Sequence, residues 1–349
     1  MSKRILIIKP SALGDVATTL PLLCDLHAAM PEAQIDWLVH PAFSAILERH
    51  DALHQIIPFD RKALAAWWYK PAAFRLFKAL IRRLRENQYD LVIDAQGLFR
   101  SGFLARATGA KMRIGFGNAR EGAPFFYTHK VRMFNGGRQI VAVERMRELG
   151  RPLNLRRDLP VQFRVPLQPL AKSKATELLD SPPFHGADAF VAVIPGARWN
   201  TKRWPAERYG ALVRQLNGKG HAVVLLGSPD EKNLCDQIEH AAAQDHGAAL
   251  NLAGKTDLAT MIAVLARARL VVGNDSGPLH VAVALGRPIV ALYGPTDPNF
   301  VGPFGQIDQV LRHPVPCHPC RRRECDHHSC MNGLAVELVW EKTQRQLSR

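Results

Sequence analysis

Leu270-Val271-Val272-Gly273-Asn274-Asp275-Ser276-Gly277-Pro278-Leu279-His280 reads as a strand that turns directly into a helix. Leu270 to Val272 form an apolar, β-branched run of the kind that fills a buried strand. Pro278 suits a first helical turn, where its missing N–H costs nothing. Gly277 lets a backbone or a ligand come close. Helical spacing continues over 277–285, and an apolar strand follows at 288–293. A strand, a helix and a second buried strand require a parallel sheet.

The same alternation extends outward on both sides. Upstream, strands are expected at 190–194, 222–226 and 249–252, and helices at 205–217, 230–243 and 258–268. The first half repeats the pattern. Strands are expected at 4–8, 35–39, 91–93 and 113–115, and helices at 15–30, 42–48 and 139–149, with a further helix after 94–97. Pro21 is a candidate kink in the helix at 15–30. Between the halves lie Pro152, Pro160, Pro166, Pro169, Pro182 and Pro183, a density that suggests a linker. A chain of 349 residues also exceeds one ordinary core. The fold expected is α/β, with two Rossmann-like parallel-sheet domains facing a central cleft. The boundaries expected are 1–165, a linker at 166–186, a second domain at 187–335, and a carboxyl-terminal helix at 336–349 packing back on the first domain. Ligands of open α/β sheets bind at the carboxyl ends of the strands.

The formal charge is +15, and it is uneven. Residues 1–165 carry 26 Lys and Arg against 14 Asp and Glu, whereas 166–349 carry 20 against 17. A basic first half points to an anionic partner or, more simply, to solubility. The first apolar run, Ile5 to Ile8, is too short for a signal-peptide core or a membrane span, so a cytoplasmic protein is expected. No basic stretch is interleaved with stacking aromatics, which argues against a nucleic-acid partner. Neither a P-loop nor a Gly-x-Gly-x-x-Gly turn follows the first strand, which removes support for nucleotide triphosphatase and dinucleotide oxidoreductase classes.

Four stretches carry chemistry. In Ser11-Ala12-Leu13-Gly14-Asp15, Gly14 permits a turn and Asp15 opens a helix. Asp15 reads as a helix N-cap or as a general base for a hydroxyl, the second favoured by burial near a cleft. In Asp275-Ser276-Gly277-Pro278, bare N–H groups at a helix start suit a diphosphate. Asp275 reads as a sugar-hydroxyl ligand or a cap, and His280 faces either ligand or core. The loop 195–205 holds Arg198, Lys202 and Arg203, which would neutralise a departing diphosphate or simply be solvated; Trp199 and Trp204 read as packing for the linker. Cys317, Cys320, Cys325 and Cys330 fall in a C-x2-C-x4-C-x4-C pattern. That spacing admits a tetrathiolate metal site, or a structural cluster that is reduced or disulfide-linked.

Taken in order, KPSALGDVATTLPLL (9–23), VIDAQGLFRSG (92–102), IPGARWNTKRWP (194–205) and GNDSGPLHVAVALGRPIVALYGPTDP (273–298) resemble glycosyltransferase family 9, which contains the ADP-heptose:lipopolysaccharide heptosyltransferases. IDWLVHPAF (35–43), GNAREGA (117–123) and AVERMREL (142–149) are most similar to its heptosyltransferase I branch. The resemblance implies a GT-B fold and an inverting transfer of heptose from ADP-heptose to the Kdo of the inner core. It implies Asp15 and Lys202 as catalytic residues. On the donor side it implies Arg198, Lys202, Glu231, Asp275, Ser276, Gly277, Pro278 and His280. The acceptor side would use Ser11, Gly14, Arg61, Lys62, Gln96, Arg100 and Arg120. The family pattern often has threonine where this chain has Ala197 and Arg198, so Arg198 would supply the first phosphate contact by charge. No metal or other cofactor is required, and the acceptor is an anionic glycolipid, Kdo-lipid A. The basic run Lys78 to Arg85 reads as a contact with the inner face of the inner membrane or as a solvated helix face. A different nucleotide sugar or a protein acceptor is the alternative within the family. A catalytically silent membrane scaffold is a further alternative, against which Asp15 and Lys202 both speak.

Overall fold

A computed structural model describes residues 2–64, 69–133, 140–181, 189–243 and 248–348. The chain divides into two compact units, one ending at Pro166 and the other starting at Leu167.

The first unit is laid down by β1 (Arg4–Ile8), α1 (Leu13–Ala29), β2 (Gln34–Val39), β3 (Gln55–Pro58), α2 (Arg61–Leu64), α3 (Pro71–Glu86), β4 (Leu91–Asp94), α4 (Phe99–Ala107), β5 (Met112–Phe116), β6 (His129–Val131) and α5 (Ala142–Arg147). Its sheet has the order β3-β2-β1-β4-β5-β6. Every neighbouring pair is parallel. Ile5 to Ile8 have no exposed surface, as expected for a central strand covered on both faces. β3 and β6 were not foreseen because they are short, and β6 is mostly exposed. The expected helix at 42–48 is a single 3-10 stretch, Pro41–Ile46. α1 continues across Pro21, whose ring is buried, and stops where Pro31 disfavours a helical Met30. The expected helix at 139–149 forms only over Ala142–Arg147 before tightening into a 3-10 stretch, and Gln139 lies outside the described residues.

The second unit begins earlier than its first strand. α6 (Pro169–Leu179) forms inside the stretch read as a linker, with Pro169 at its first turn, and packs on α9 (Leu258–Arg267). Residues 182–188 lie outside the described residues. There follow β7 (Phe190–Ile194), α7 (Ala206–Asn217), β8 (Ala222–Leu225), α8 (Lys232–Ala243), β9 (Leu250–Asn251), β10 (Leu270–Asn274), α10 (Gly277–Ala284), β11 (Ile289–Leu292), α11 (Pro298–Val301), β12 (Val310–Leu311), α12 (Ser329–Asn332) and α13 (Val336–Leu347). The order is β12-β11-β10-β7-β8-β9, again all parallel. α13 was expected to pack back on the first domain. Val339 and Leu347 instead sit in the core of the second unit, with Trp204, Tyr209 and Leu216 of the α7 region. The helix is amphipathic, and a sheet whose α7 face is still open gives its apolar stripe the nearest cover. Trp204 belongs to that core too, not to a linker: it is 1% exposed, and its indole N–H donates to Leu334 O at 2.9 Å.

In each unit the chain reverses its winding between the two central strands, β1 and β4 in one, β10 and β7 in the other. The loops that leave those strands therefore diverge and open a crevice at the strands' carboxyl ends. Three of the four chemistry-bearing stretches leave one of these strands, β1, β7 or β10, and the cysteine-rich one follows the edge strand β12.

Candidate active site

In the first unit, the loops after β1 and β4 are tied together. Lys9 is buried and donates from Nζ to Ala95 O at 2.9 Å, and Ser11 N–H donates to Gln96 Oε1 at 3.4 Å. The fixed point below them is Asp94, which the sequence reading passed over. It is fully buried, with Oδ1 accepting the N–H groups of Gln96 (2.9 Å) and Gly97 (3.1 Å) and Oδ2 accepting the Tyr127 hydroxyl at 2.6 Å. Burial pushes its carboxyl up, and the donors from Tyr127, Gly97, Ser101 and Gln96 oppose that rise. Gly97 has φ +69, a conformation costly for any residue with a Cβ, and its carbonyl accepts the N–H of Arg120 at 3.1 Å.

Asp15 stands above this floor. The N-cap is Ala12, not Asp15, and Gly14 lies within the first turn of α1. Asp15 is the third helical residue, and its Oδ2 accepts the Ala12 N–H at 3.0 Å, the return half of a capping box. Its Oδ1 faces Lys9 Nζ at 3.9 Å. The burial expected of a base is not found, since the side chain is 55% exposed. One oxygen is thus spent on the helix start, and the other has a cation behind it and open space in front.

Gln96, Arg100 and Arg120 all stem from this neighbourhood, the two arginines being exposed. Arg61 and Lys62 lie elsewhere, on the exposed α2 after β3, two strands out from β1. Asp60 caps that turn by accepting the N–H groups of Lys62 (2.8 Å) and Ala63 (3.1 Å).

In the second unit the loops after β7 and β10 are bound more tightly. Gly273 lies so close to Ile194 that a Cβ there would meet Ile194 O at 2.8 Å. Asn274 has no exposed surface. Its Nδ2 donates to Pro195 O at 2.6 Å, and its Oδ1 accepts the Tyr209 hydroxyl at 3.1 Å and the Trp204 N–H at 3.3 Å. Asp275 follows, 6% exposed. Its Oδ2 accepts both Lys202 Nζ and the Thr296 hydroxyl, each at 2.6 Å, and its Oδ1 lies 3.8 Å from His280 Nε2. Burial works to raise this carboxyl. The nearby His280, the charge of Lys202 and the Lys202 hydrogen bond reverse that effect and hold it at about 2. His280 therefore faces Asp275, one helical turn away.

Ser276 is the N-cap of α10, yet its hydroxyl is buried and has no hydrogen-bond partner among the described residues. An unpaired buried hydroxyl costs about 1–3 kcal/mol, and at a helix start with bare N–H groups it is suited to an anionic ligand's oxygens. Glu231 closes the same region. Its Oε2 accepts the Ser228 N–H at 2.9 Å, and its carboxylate lies over Gly196, where a Cβ would meet Oε1 at 2.0 Å.

Trp199 is not linker packing. Lys202 Nζ sits 4.7 Å from its ring centroid and Arg323 Cζ 5.4 Å, so the ring gathers two cations beside Asp275. Arg198 is exposed on the same loop. Arg323 comes from the cysteine-rich segment, which leans on this half of the site through Thr201 Oγ1 to Arg322 O (2.8 Å) and Arg321 N–H to Pro295 O (2.9 Å). Cys317 is exposed, Cys320 and Cys325 are half-buried, Cys330 is buried, and all four are free thiols. Among the described residues no three His, Cys, Asp or Glu side chains are placed to hold a metal ion. Thr296 and Trp199 lie inside stretches singled out in the sequence, yet only the folded contacts reveal what they touch.

The family model for glycosyltransferase family 9 (heptosyltransferase) matches residues 77–331. Lipopolysaccharide heptosyltransferase 1 of Pseudomonas aeruginosa is 34% identical over 337 residues, covering 93% of this chain and 88% of that one. The structure of the Escherichia coli heptosyltransferase WaaC with ADP-2-deoxy-2-fluoro heptose superposes with a TM-score of 0.75 at 28% identity, over 98% of this chain and 99% of that one. That of the Escherichia coli ADP-heptose lipopolysaccharide heptosyltransferase II gives 0.78 at 26% identity, over 99% and 98%.

Proposed function

This chain belongs to glycosyltransferase family 9, and on that premise we propose that it moves heptose from ADP-heptose to the Kdo region of the lipopolysaccharide inner core, inverting the anomeric centre. Relatives named lipopolysaccharide heptosyltransferase span nearly the whole chain, and the identity is higher to a type 1 enzyme (34%) than to a type 2 enzyme (28%).

The observation that carries the reading is Asp275, an ionised carboxylate fixed by Lys202 and Thr296 and faced by His280, at the start of a helix whose N-cap hydroxyl has no hydrogen-bond partner among the described residues. Oδ2 is occupied by Lys202 and Thr296, which leaves Oδ1 to accept a sugar hydroxyl of the donor. The Lys202 ammonium has three N–H donors and spends one on Asp275, so two remain for the diphosphate. Arg198, the Ser276 hydroxyl and the α10 N-terminus add donors to the same phosphates, with Pro278 and Gly277 keeping the approach clear. Glu231, over Gly196, supports the nucleoside end.

Asp15 takes the proton from the acceptor hydroxyl, whose oxygen then bonds to the anomeric carbon as the bond from that carbon to the ADP oxygen breaks. The electron pair of that bond leaves with ADP. Fixed cations and N–H dipoles stabilise the departing charge, the role a metal ion would otherwise fill. Lys9, 3.9 Å from Asp15 Oδ1, orients it, while Arg100 and Arg120 pair with the Kdo carboxylates. Ser11, Gly14 and Gln96 shape the floor on which the acceptor lies, and Arg61 and Lys62 meet its more distant acidic groups. The enzyme works in the cytoplasm, peripherally, at the inner face of the membrane that holds its acceptor; among the described residues no helix is long and apolar enough to cross a bilayer.

The test is transfer by the purified chain from ADP-heptose to Kdo2-lipid A, followed by mass spectrometry. The expected product is one heptose heavier. Transfer from a UDP-sugar with none from ADP-heptose would overturn the donor assignment.

A further inference from the structure

The first unit carries an aromatic cluster that neither its core nor its proposed chemistry uses. Phe77 of α3 and Phe103 of α4 stack at 6.2 Å between ring centroids, Phe103 meets Phe126 edge-on at 6.3 Å, and Phe126 meets Phe99 edge-on at 5.2 Å. The fold makes room for it: a Cβ on Gly102 would lie 2.8 Å from the Phe126 ring. Yet two of its rings stay in water, Phe99 at 50% and Phe103 at 38% exposed, and beside it Phe125, next in sequence to Phe126, is 88% exposed and Phe74, one turn before Phe77, 48%. Isolated exposed aromatics are ordinary, whereas contiguous ones mark a surface that something covers.

The rim of the cluster says what covers it. α3 buries Ala73, Leu80 and Leu84. At 100° per residue its next stripe holds Phe74 and Lys78, and the one beyond holds Arg75 and Arg82. Arg85 ties this side of α3 to α4 by donating to Ala107 O at 3.1 Å. α4 adds the exposed Arg100 and Arg106. Two acids of this region are already engaged, Glu86 with Arg82 at 3.0 Å and Glu121 with the Phe99 N–H at 3.3 Å. Rings flanked by cations on two adjoining helices match a bilayer's boundary, with rings among the acyl chains and cations at anionic headgroups.

We propose that the Phe74, Phe77, Phe99, Phe103, Phe125 and Phe126 face of α3 and α4 docks the protein on an anionic lipid bilayer. The inference rests on the proposed reaction only in that a lipid-anchored acceptor requires such a surface. Docking through it would present the loop after β4, from which α4 starts, to headgroups.

The experiment is co-sedimentation of the full chain with phosphatidylcholine vesicles, with and without phosphatidylglycerol, alongside transfer to a delipidated, water-soluble Kdo acceptor. The wild-type chain should pellet with the anionic vesicles and do so less at high salt. Phe74→Ser with Phe125→Ser should weaken binding by about tenfold or more. Arg75→Glu and Lys78→Glu should each weaken it by at least about fivefold and only on anionic vesicles. Transfer to the soluble acceptor should be unchanged in all of them. A wild-type chain that stays in the supernatant, or phenylalanine variants that bind as well as it does, would overturn the proposal. So would a wild-type dimer that the phenylalanine variant makes monomeric with vesicle binding unaltered, since that would assign the face to a second copy. Transfer failing while patch-dependent binding persists would count against the reaction and in favour of this surface.

Discussion

Two carboxylates in this protein occupy similar local settings and are held in opposite ways. Asp15 and Asp275 both lie where a central strand gives way to a helix, Asp15 after β1 and Asp275 after β10. The Asp15 side chain is 55% exposed, with one backbone donor at 3.0 Å and a lysine at 3.9 Å. Asp275 is 6% exposed and takes two donors at 2.6 Å on one oxygen. A base must have a free lone pair and a route to its proton. A ligand-positioning group must instead stay where it is while charge moves past it. The difference lies in what the next loop brings up: near Asp15, Lys9 is turned toward Ala95 O, whereas at Asp275 both Lys202 and Thr296 are aimed at the acid.

The largest test of the contrast is Asp15→Ala. It should lower kcat by about 10²–10⁴-fold while ADP affinity, read by calorimetry, stays within about twofold. Unchanged turnover would remove the distinction altogether. Lys202→Ala comes next, because it strands a buried carboxylate. It should cost about 3 kcal/mol in denaturant unfolding and weaken ADP binding as well, whereas Lys9→Ala should leave ADP binding alone. Equal loss of ADP affinity in the two lysine variants would blur the halves. Thr296→Val should follow at about 2 kcal/mol, the value of one hydrogen bond to a charged group, with kcat less affected than the KM for the donor.

The smallest effect is in pH. The Asp275 carboxyl is lowered from 3.8 to about 2 in the folded chain. Its contribution to stability is therefore complete above about pH 4 and is lost as pH falls through about 2. Thermal unfolding of the wild type against Asp275→Asn should show a gap that closes over that window. A gap that persists below it would mean that Asp275 acts by packing and not by charge.

Much of this was legible before any fold was known. The strand–helix alternation, the two-domain class and the four chemistry-bearing stretches all follow from periodicity and from turn residues such as Gly277 and Pro278. Short or weakly patterned pieces were not legible. β3, β6 and β12 have at most four residues each, and α6 was hidden behind the proline that starts it. Asp94 was missed because a fully buried carboxylate looks, in sequence, like any acid at a strand end; only Tyr127, 33 positions away, and the N–H groups of Gln96 and Gly97 reveal it as the floor of a loop. The cysteine spacing left a metal site and a structural cluster both open, since it fixes separations along the chain but not where the thiols point; in the structure all four are free thiols.

By itself the sequence determined the strand–helix alternation of both halves and that three of the four chemistry-bearing stretches follow a buried strand. Strand order belongs to the tertiary structure alone. Periodicity is local, and nothing in it says that the fourth strand of each half returns to pair with the first. That return, driven by the burial of two apolar sheet faces against helices, brings Lys202 within hydrogen-bonding distance of Asp275 from 73 residues away and Gln96 to Ser11 from 85.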